Sequence, residues 1–128
     1  MIYIDSSVLL AGLLAEPRSP PETLWDGDLA SSRLLAYEVW NRIHASGLIS
    51  SHGERTRGLL ARINLTEMSQ LALARALEPW PAALRTLDAL HLATMEFLRG
   101  NGQPVELASY DNRLIAAAQA LGVPLAAL

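Results

Sequence analysis

The stretch MIYIDSSVLLAGLLAEP at residues 1–17 decides the fold class. Residues 1–4 are apolar and β-favouring, which predicts a buried strand that ends at Asp5. Residues 8–15 are typical of a helix, and Glu16 and Pro17 end it. A short buried strand that passes directly into a helix is the repeating unit of parallel α/β folds.

The same alternation continues to the end of the chain. Pro20 and Pro21 are suited to open a short helix that runs through Trp25. Further strands are predicted at 29–33, 65–68, 105–110 and 123–128, and further helices at 34–46, 54–63, 71–77, 86–99 and 112–121, with Thr86 as a candidate helix cap. This order predicts a three-layer α/β/α sandwich with a short, mostly parallel central sheet. No repeat or linker divides residues 1–128, so we expect a single domain.

Composition is typical of a compact globular protein. The 128 residues suit one domain, with 51% hydrophobic and only 18% charged residues, which argues against disorder. The absence of cysteine excludes disulfides and thiolate metal sites. No apolar run approaches the ~20 residues of a membrane span, and Asp5 follows the start without a basic leader. We therefore expect no membrane segment and a cytoplasmic location.

The charge balance permits a nucleic-acid enzyme without indicating one. The net charge is −3, whereas nucleic-acid binders usually carry a basic surplus. All ten basic residues are arginine, the better bidentate partner for phosphate. A GC-rich genome would also explain this arginine usage. A bound metal ion, moreover, can supply positive charge at a phosphate.

Four acidic residues stand at informative places. Asp5 and Asp111 follow predicted strands, Asp88 lies in the first turn of the helix at 86–99, and Glu38 lies early in the helix at 34–46. In parallel α/β sheets, ligands bind at the carboxyl ends of the strands. Structural explanations also exist, because Asp88 suits a helix dipole, Asp111 suits a cap, and Glu38 could face solvent. Asp5 has no capping role that the neighbouring serines could not fill.

Four local sequences, in order, resemble one known family. They are YIDSSVLL at 3–10, AYEV at 36–39, LRTLDALHLAT at 84–94 and LASYDNRL at 107–114. They are similar to the motifs of the PIN-domain ribonucleases and, within that family, of the VapC-like toxins of bacterial toxin–antitoxin pairs. The third motif is the most specific, and residues 116–123 resemble the family's closing helix. The resemblance spans nearly the whole chain.

The resemblance implies a metal-dependent endoribonuclease. It implies that Asp5, Glu38, Asp88 and Asp111 converge on one pocket, and that the Ser7 hydroxyl assists. Ser109 stands two places before the fourth acid, where the family has serine or threonine. An antitoxin partner and a homodimer are also implied. Asn112 replaces a further acid found in many PIN domains, which affects a second metal site rather than the first.

An all-carboxylate pocket suits Mg²⁺ or Mn²⁺, which prefer oxygen ligands. We expect Asp5 and Asp111 to hold the ion, and Asp88 and Glu38 to orient its waters or hold a second ion. A water activated by the metal would then attack the RNA phosphodiester. Arg85 and Arg113 flank the motifs and are candidates for guiding phosphate, although either could form a surface salt bridge.

Several residues have a structural interpretation beside the functional one. For His91 we favour support of Asp88 or core packing over a role as general base. We favour packing over base stacking for Trp25, Trp40 and Trp80. Leu13, Leu14 and Leu24 lie beside proline-rich turns and could form a groove for an antitoxin segment.

Two alternatives remain open from the sequence. The first is a non-catalytic α/β protein-binding module whose acids only cap helices. The second is a phosphoryl hydrolase with Asp5 as nucleophile, but that chemistry typically needs a second acid two residues later, where Ser7 stands. No glycine-rich phosphate loop is present.

Overall fold

The computed structural model describes residues 1–128 as one α/β unit built on four short strands. The strands are β1 (Ile2–Ile4), β2 (Leu29–Ser32), β3 (Asn64–Thr66) and β4 (Glu106–Ala108). The α-helices are α1 (Ser6–Leu13), α2 (Leu34–Ala45), α3 (Ile49–Leu60), α4 (Gln70–Ala76), α5 (Thr86–Gly100) and α6 (Asn112–Ala120), and a short 3₁₀ helix spans Glu22–Asp26.

The sheet is parallel throughout, in the order β3-β2-β1-β4. Ile2 on β1 is opposite Leu29 on one side and Glu106 on the other. The chain moves outward from β1 to β2 and β3, and then returns across the sheet to β4. The strand order therefore reverses between β1 and β4, and a ligand site is expected at their carboxyl ends.

Two hydrophobic clusters cover the two faces of the sheet. Ile4 belongs to the cluster formed with α1, α2 and α3, whereas its neighbour Tyr3 belongs to the cluster formed with α5 and α6. On β4, Ala108 likewise belongs to the first cluster and its neighbour Leu107 to the second. This alternation of side chains along a strand produces the three-layer sandwich that the sequence predicted.

Most predicted elements are present, with small shifts of their ends, but the last strand is wrong. Residues 123–128 form a single bridge in which Leu107 pairs with Leu125. The Leu107 N–H donates to the Pro124 carbonyl, and the Ala126 N–H donates to the Leu107 carbonyl. Because Pro124 has no N–H, the ladder does not extend.

Two helix starts also differ from the prediction. Helix α3 begins at Ile49, five residues before the predicted start, because Gly47 ends α2 with a φ of +66° and the next helix follows almost at once. The residues between 49 and 54 are poor helix formers, which hid this turn from the sequence pattern. Thr86 is the first residue of α5 rather than its cap, and Arg85 occupies the cap position without a side-chain hydrogen bond.

No helix of the structure is long and apolar enough to cross a membrane.

We predict that Leu92→Ala lowers the free energy of unfolding by about 2–5 kcal/mol, because Leu92 on α5 is fully buried in the cluster with Tyr3 and Leu107. Leu77→Ala is the matched control, since the Leu77 side chain is 89% exposed. Its effect should stay within about 0.5 kcal/mol. Urea unfolding followed by circular dichroism measures both, and equal losses would contradict the assigned core.

Candidate active site

A cavity of about 510 Å³ lies at the carboxyl ends of β1 and β4. All four predicted acids line it, together with Ser7 and Arg85. The other lining residues are Ser6, Leu10, Arg42, Thr86 and Leu87. The structure thus brings into one place four acids that are far apart in the sequence.

Asp5 is the residue that joins the cavity to the sheet. Its side chain is buried, and its Oδ2 accepts hydrogen bonds from the Ser7 Oγ at 2.6 Å and the Ser109 Oγ at 2.9 Å. It also caps α1, where Oδ2 lies 3.4 Å from the Ser7 backbone nitrogen. Asp5 thus fills the capping role that the sequence analysis considered open to the neighbouring serines.

Ser7 and Ser109 hold the loop after β4 against the start of α1. The Ser7 Oγ accepts from the Tyr110 N–H at 2.9 Å, and the Ser109 Oγ accepts from the Asp111 N–H at 3.0 Å. Since each hydroxyl donates its single proton to Asp5, neither has a proton left for a substrate. Their geometry is that of residues that position Asp5.

Asp111 caps a helix as well, as one of its structural interpretations expected. Its Oδ1 accepts from the Arg113 N–H at 3.0 Å at the start of α6. All the hydrogen bonds that Asp5 accepts end at its Oδ2, and the one that Asp111 accepts ends at its Oδ1. Each carboxylate therefore keeps one oxygen without a protein hydrogen bond. A helix cap and a ligand site are therefore compatible in the same residue.

Asp88 lies in the first turn of α5 and shares the electrostatic field of the other acids. Burial raises the pKa of its carboxyl above the ordinary value, and the charges of Asp111 and Asp5 act in the same direction. The backbone N–H and the guanidinium of Arg85 act in the opposite direction. Burial first, and the neighbouring acids second, thus disfavour the ionised form of Asp88.

Glu38 reaches the cavity from α2 and is held from beneath by His91. The His91 Nε2 lies 2.5 Å from the Glu38 Oε1, and its Nδ1 lies 2.7 Å from the Tyr3 hydroxyl. The Ser6 hydroxyl donates to the Glu38 Oε2 at 3.4 Å. His91 is fully buried, and the carboxylate that it contacts is that of Glu38 rather than that of Asp88.

The arginines divide into those at the cavity and those away from it. Arg85 lines it as the sequence suggested, whereas the Arg113 side chain does not. Arg42 also lines the cavity and was missed by the sequence analysis. The available signal was its position four residues after Glu38, which places the two side chains on one face of α2.

The tryptophans pack within the fold. Trp25 is buried in the first cluster, and Trp40 packs against the same cluster. Trp80 packs against the second cluster, with the Arg75 guanidinium 3.6 Å from its ring centroid.

The donor types fit a hydrated divalent cation. No three acidic or histidine side chains are gathered closely enough to share one ion directly. Mg²⁺, however, usually keeps several waters and takes only one or two carboxylates. The free oxygens of Asp5 and Asp111, with two more carboxylates on the wall, satisfy that requirement in chemical type.

Comparison with known proteins gives the family. The model of the PIN domain matches residues 2–125. The chain is 33% identical to "Ribonuclease VapC46" of Mycobacterium tuberculosis over 98% of this chain and 96% of that protein. It is 32% identical to "Ribonuclease VapC35" of the same organism over 99% and 96%. The chain belongs to the PIN-domain family.

A solved structure agrees in fold. A chain of the "Toxin-antitoxin complex from Klebsiella pneumoniae" superposes with a TM-score of 0.63 at 22% sequence identity, over 91% of both chains. At this level of identity the likeness is one of fold.

We predict that Asp88→Asn raises the stability of the metal-free protein at pH 7, by less than about 1 kcal/mol because the carboxyl is partly exposed. A carboxyl whose folded-state pKa is raised costs stability when ionised, and this cost disappears as the pH falls below the unfolded-state value of ~3.9. The gain should therefore shrink between pH 7 and pH 4. Thermal scans in EDTA measure it.

Glu54→Gln on the exposed face of α3 is the control for loss of one negative charge. Asp5→Asn should behave oppositely and lower the melting temperature, because Asp5 accepts three hydrogen bonds as an ion. A lower melting temperature for Asp88→Asn would contradict the shared negative potential.

Proposed function

We propose that this chain is a Mg²⁺- or Mn²⁺-dependent endoribonuclease that acts as the toxin of a toxin–antitoxin pair. The observation that carries the proposal is the convergence of Asp5, Glu38, Asp88 and Asp111 on one cavity in a PIN-domain chain. Relatives of nearly the same length are named ribonucleases, which supports RNA as the substrate.

The binding-module alternative accounts for three of these acids by their positions at helix starts, but not for Glu38. Asp5 and Asp111 do cap helices, as that alternative requires. Glu38, however, is the fifth residue of α2, beyond the free N–H groups of a helix start. Capping therefore does not explain why Glu38 faces the cavity, where His91 and Ser6 form hydrogen bonds with its carboxylate.

A bound Mg²⁺ or Mn²⁺ supplies positive charge at the phosphate and makes a coordinated water more acidic. In this proposal the free oxygens of Asp5 and Asp111 hold the ion. Asp88 and Glu38 would accept hydrogen bonds from the waters of that ion, or would hold a second ion. Because the nucleophile is water, selection of RNA over DNA depends on shape and 2′-hydroxyl contacts rather than on the reaction.

Arg42 and Arg85 are suited to bind the substrate's phosphates. They line the cavity from α2 and from the residue before α5, and neither forms an ion pair. Guanidinium groups bind phosphate bidentately, so Arg42 and Arg85 can hold the RNA backbone over the four acids of the cavity. They would also offset the repulsion between these acids and an anionic substrate. Arg113, outside the cavity, has no such role.

The partner in this proposal is an antitoxin protein, and we retain the homodimer implied by the resemblance. Leu13 and Leu24 cannot form the expected groove, because both are buried in the first core cluster. Four of the exposed leucines lie instead on and near α4 and at the start of α5, at positions 71, 73, 77 and 87, and two more lie near the C-terminus, at positions 125 and 128. Cytoplasmic RNA as substrate places the activity in the cytoplasm.

We predict that the purified chain cleaves RNA with Mn²⁺ and that EDTA abolishes cleavage. Asp88→Asn and Asp111→Asn should each lower the rate by roughly 100-fold or more, because each removes a charge from the proposed metal site. Arg113→Gln is the control and should retain activity. Fluorescent single-stranded RNA reports the rates, and circular dichroism verifies folding. Cleavage unaffected by EDTA would contradict the proposed chemistry.

Expression of the chain alone in a bacterial host should arrest growth, and the Asp111→Asn variant should not. The product of the neighbouring reading frame, co-expressed, should restore growth if it is the antitoxin. Colony counts after induction measure this, with immunoblots to confirm equal protein levels. If the chain cleaves RNA in vitro but its expression does not arrest growth, the ribonuclease activity is supported and the toxin role is contradicted.

A further inference from the structure

A row of hydrogen-bonded polar groups runs through the core between the sheet and the acidic cavity. It begins at the Ser32 N–H on β2, which donates to the Tyr3 hydroxyl at 3.0 Å. The hydroxyl lies 2.7 Å from the His91 Nδ1, and the His91 Nε2 lies 2.5 Å from the Glu38 Oε1. Tyr3 and His91 are both fully buried. We call this row the Tyr3–His91–Glu38 chain.

The proton positions follow from what each group can donate. The Tyr3 phenol is protonated, because burial raises its pKa well above the ordinary value. It accepts from Ser32 and therefore has its own proton for the His91 Nδ1. A neutral imidazole that accepts at Nδ1 carries its proton on Nε2 and donates it to the Glu38 carboxylate. Every bond of the chain then has one donor and one acceptor.

Glu38 needs such a support more than the other acids do. Asp5 and Asp111 are oriented by the backbone N–H groups of the helices that they cap, and Asp88 has a short side chain in the first turn of α5. Glu38 lies farther along its helix and has one more rotatable bond. Its carboxylate would otherwise lose rotamer freedom on binding an ion.

The Tyr3–His91–Glu38 chain is also rigid enough to hold the Glu38 carboxylate in one orientation. The rings of Tyr3 and His91 meet edge to face, with centroids 5.8 Å apart and an interplanar angle of 81°. Tyr3 is fixed in the central strand β1, and His91 is fixed in the buried face of α5. Two apolar residues of similar volume would fill this space without burying the Tyr3 hydroxyl and the two His91 ring nitrogens. The retained polarity points to a use at the end of the chain that meets the cavity.

We propose that Tyr3 and His91 are positioning residues that hold the Glu38 carboxylate at the cavity wall in the orientation that serves the metal site. Neither side chain lines the cavity, so both act through Glu38. The inference rests on the proposed function only in assigning the cavity to a divalent cation. The hydrogen-bonded orientation of Glu38 is testable without metal.

The first measurement is NMR on the metal-free full-length chain at fixed pH. We expect His91 to carry its proton on Nε2 alone. Tyr3→Phe, which removes only the hydroxyl, should shift both the His91 ring nitrogens and the Glu38 carboxyl carbon. Thr56→Val is the matched control, since it removes another buried hydroxyl, on α3 away from the cavity. Shifts of His91 alone, with Glu38 unmoved, would overturn the proposal.

Glu38→Gln tests the same hydrogen bonds from the cavity end of the Tyr3–His91–Glu38 chain. It changes a half-buried side chain and leaves the core intact. The NMR signals of the His91 ring nitrogens should shift in this variant. Unchanged signals would contradict the hydrogen-bonded Tyr3–His91–Glu38 chain. This variant keeps the proposal testable if the core substitution at Tyr3 prevents folding.

The second measurement is Mn²⁺ affinity in a double-mutant cycle. Tyr3→Phe should weaken Mn²⁺ binding by about 10-fold in the wild-type background. It should have no further effect when Glu38→Gln is already present, because its influence passes through Glu38. Additive losses in the double variant would overturn the proposal. A wild type that binds no Mn²⁺ would overturn the proposed function, while the NMR shifts would still decide whether Tyr3 and His91 orient Glu38.

Discussion

The hydrogen bonds to the Asp5 carboxylate connect the sheet, two helices and the cavity. Asp5 ends the central strand, caps α1 and accepts the hydroxyl protons of Ser7 and Ser109. Those hydroxyls in turn accept the N–H groups that follow β4. The carboxyl ends of β1 and β4 are therefore joined by one carboxylate. The direction of α6, and with it the position of Asp111, depends on this connection.

This arrangement explains how the fold tolerates an acidic cavity. Negative charge is stabilised at a helix start, where the peptide dipoles and free N–H groups point outward. Asp5, Asp88 and Asp111 all lie within the first turn or at the cap of a helix. Part of the repulsion between the acids is thus offset by the helices that carry them. Glu38 lies outside this field and is supported instead by His91.

The sequence predicted the layers and the four acids because both depend on local patterns. Strand and helix periods specify the sandwich, and the order of four short motifs specifies which acids converge. The sequence-based predictions failed where the contact that decides the structure joins residues distant in sequence. The partner of His91 lies on α2, fifty-three positions away. By contrast, Asp5 caps α1 through the nearby Ser7 backbone nitrogen, a role that the pattern left equally open to the neighbouring serines. The last strand failed because one proline decides whether a ladder continues.

The pairing of β1 with β4 affects how the chain acquires activity during synthesis. Ser109 and Asp5 are in contact although 104 positions separate them, and no earlier segment can take the place of β4 beside β1. A nascent chain that has emerged only as far as α5 lacks both Asp111 and Ser109, the second of the two hydroxyls that donate to Asp5. Contacts between such distant segments form late in folding. The cavity is therefore complete only when the C-terminal fifth of the chain, with β4 and the start of α6, has joined β1.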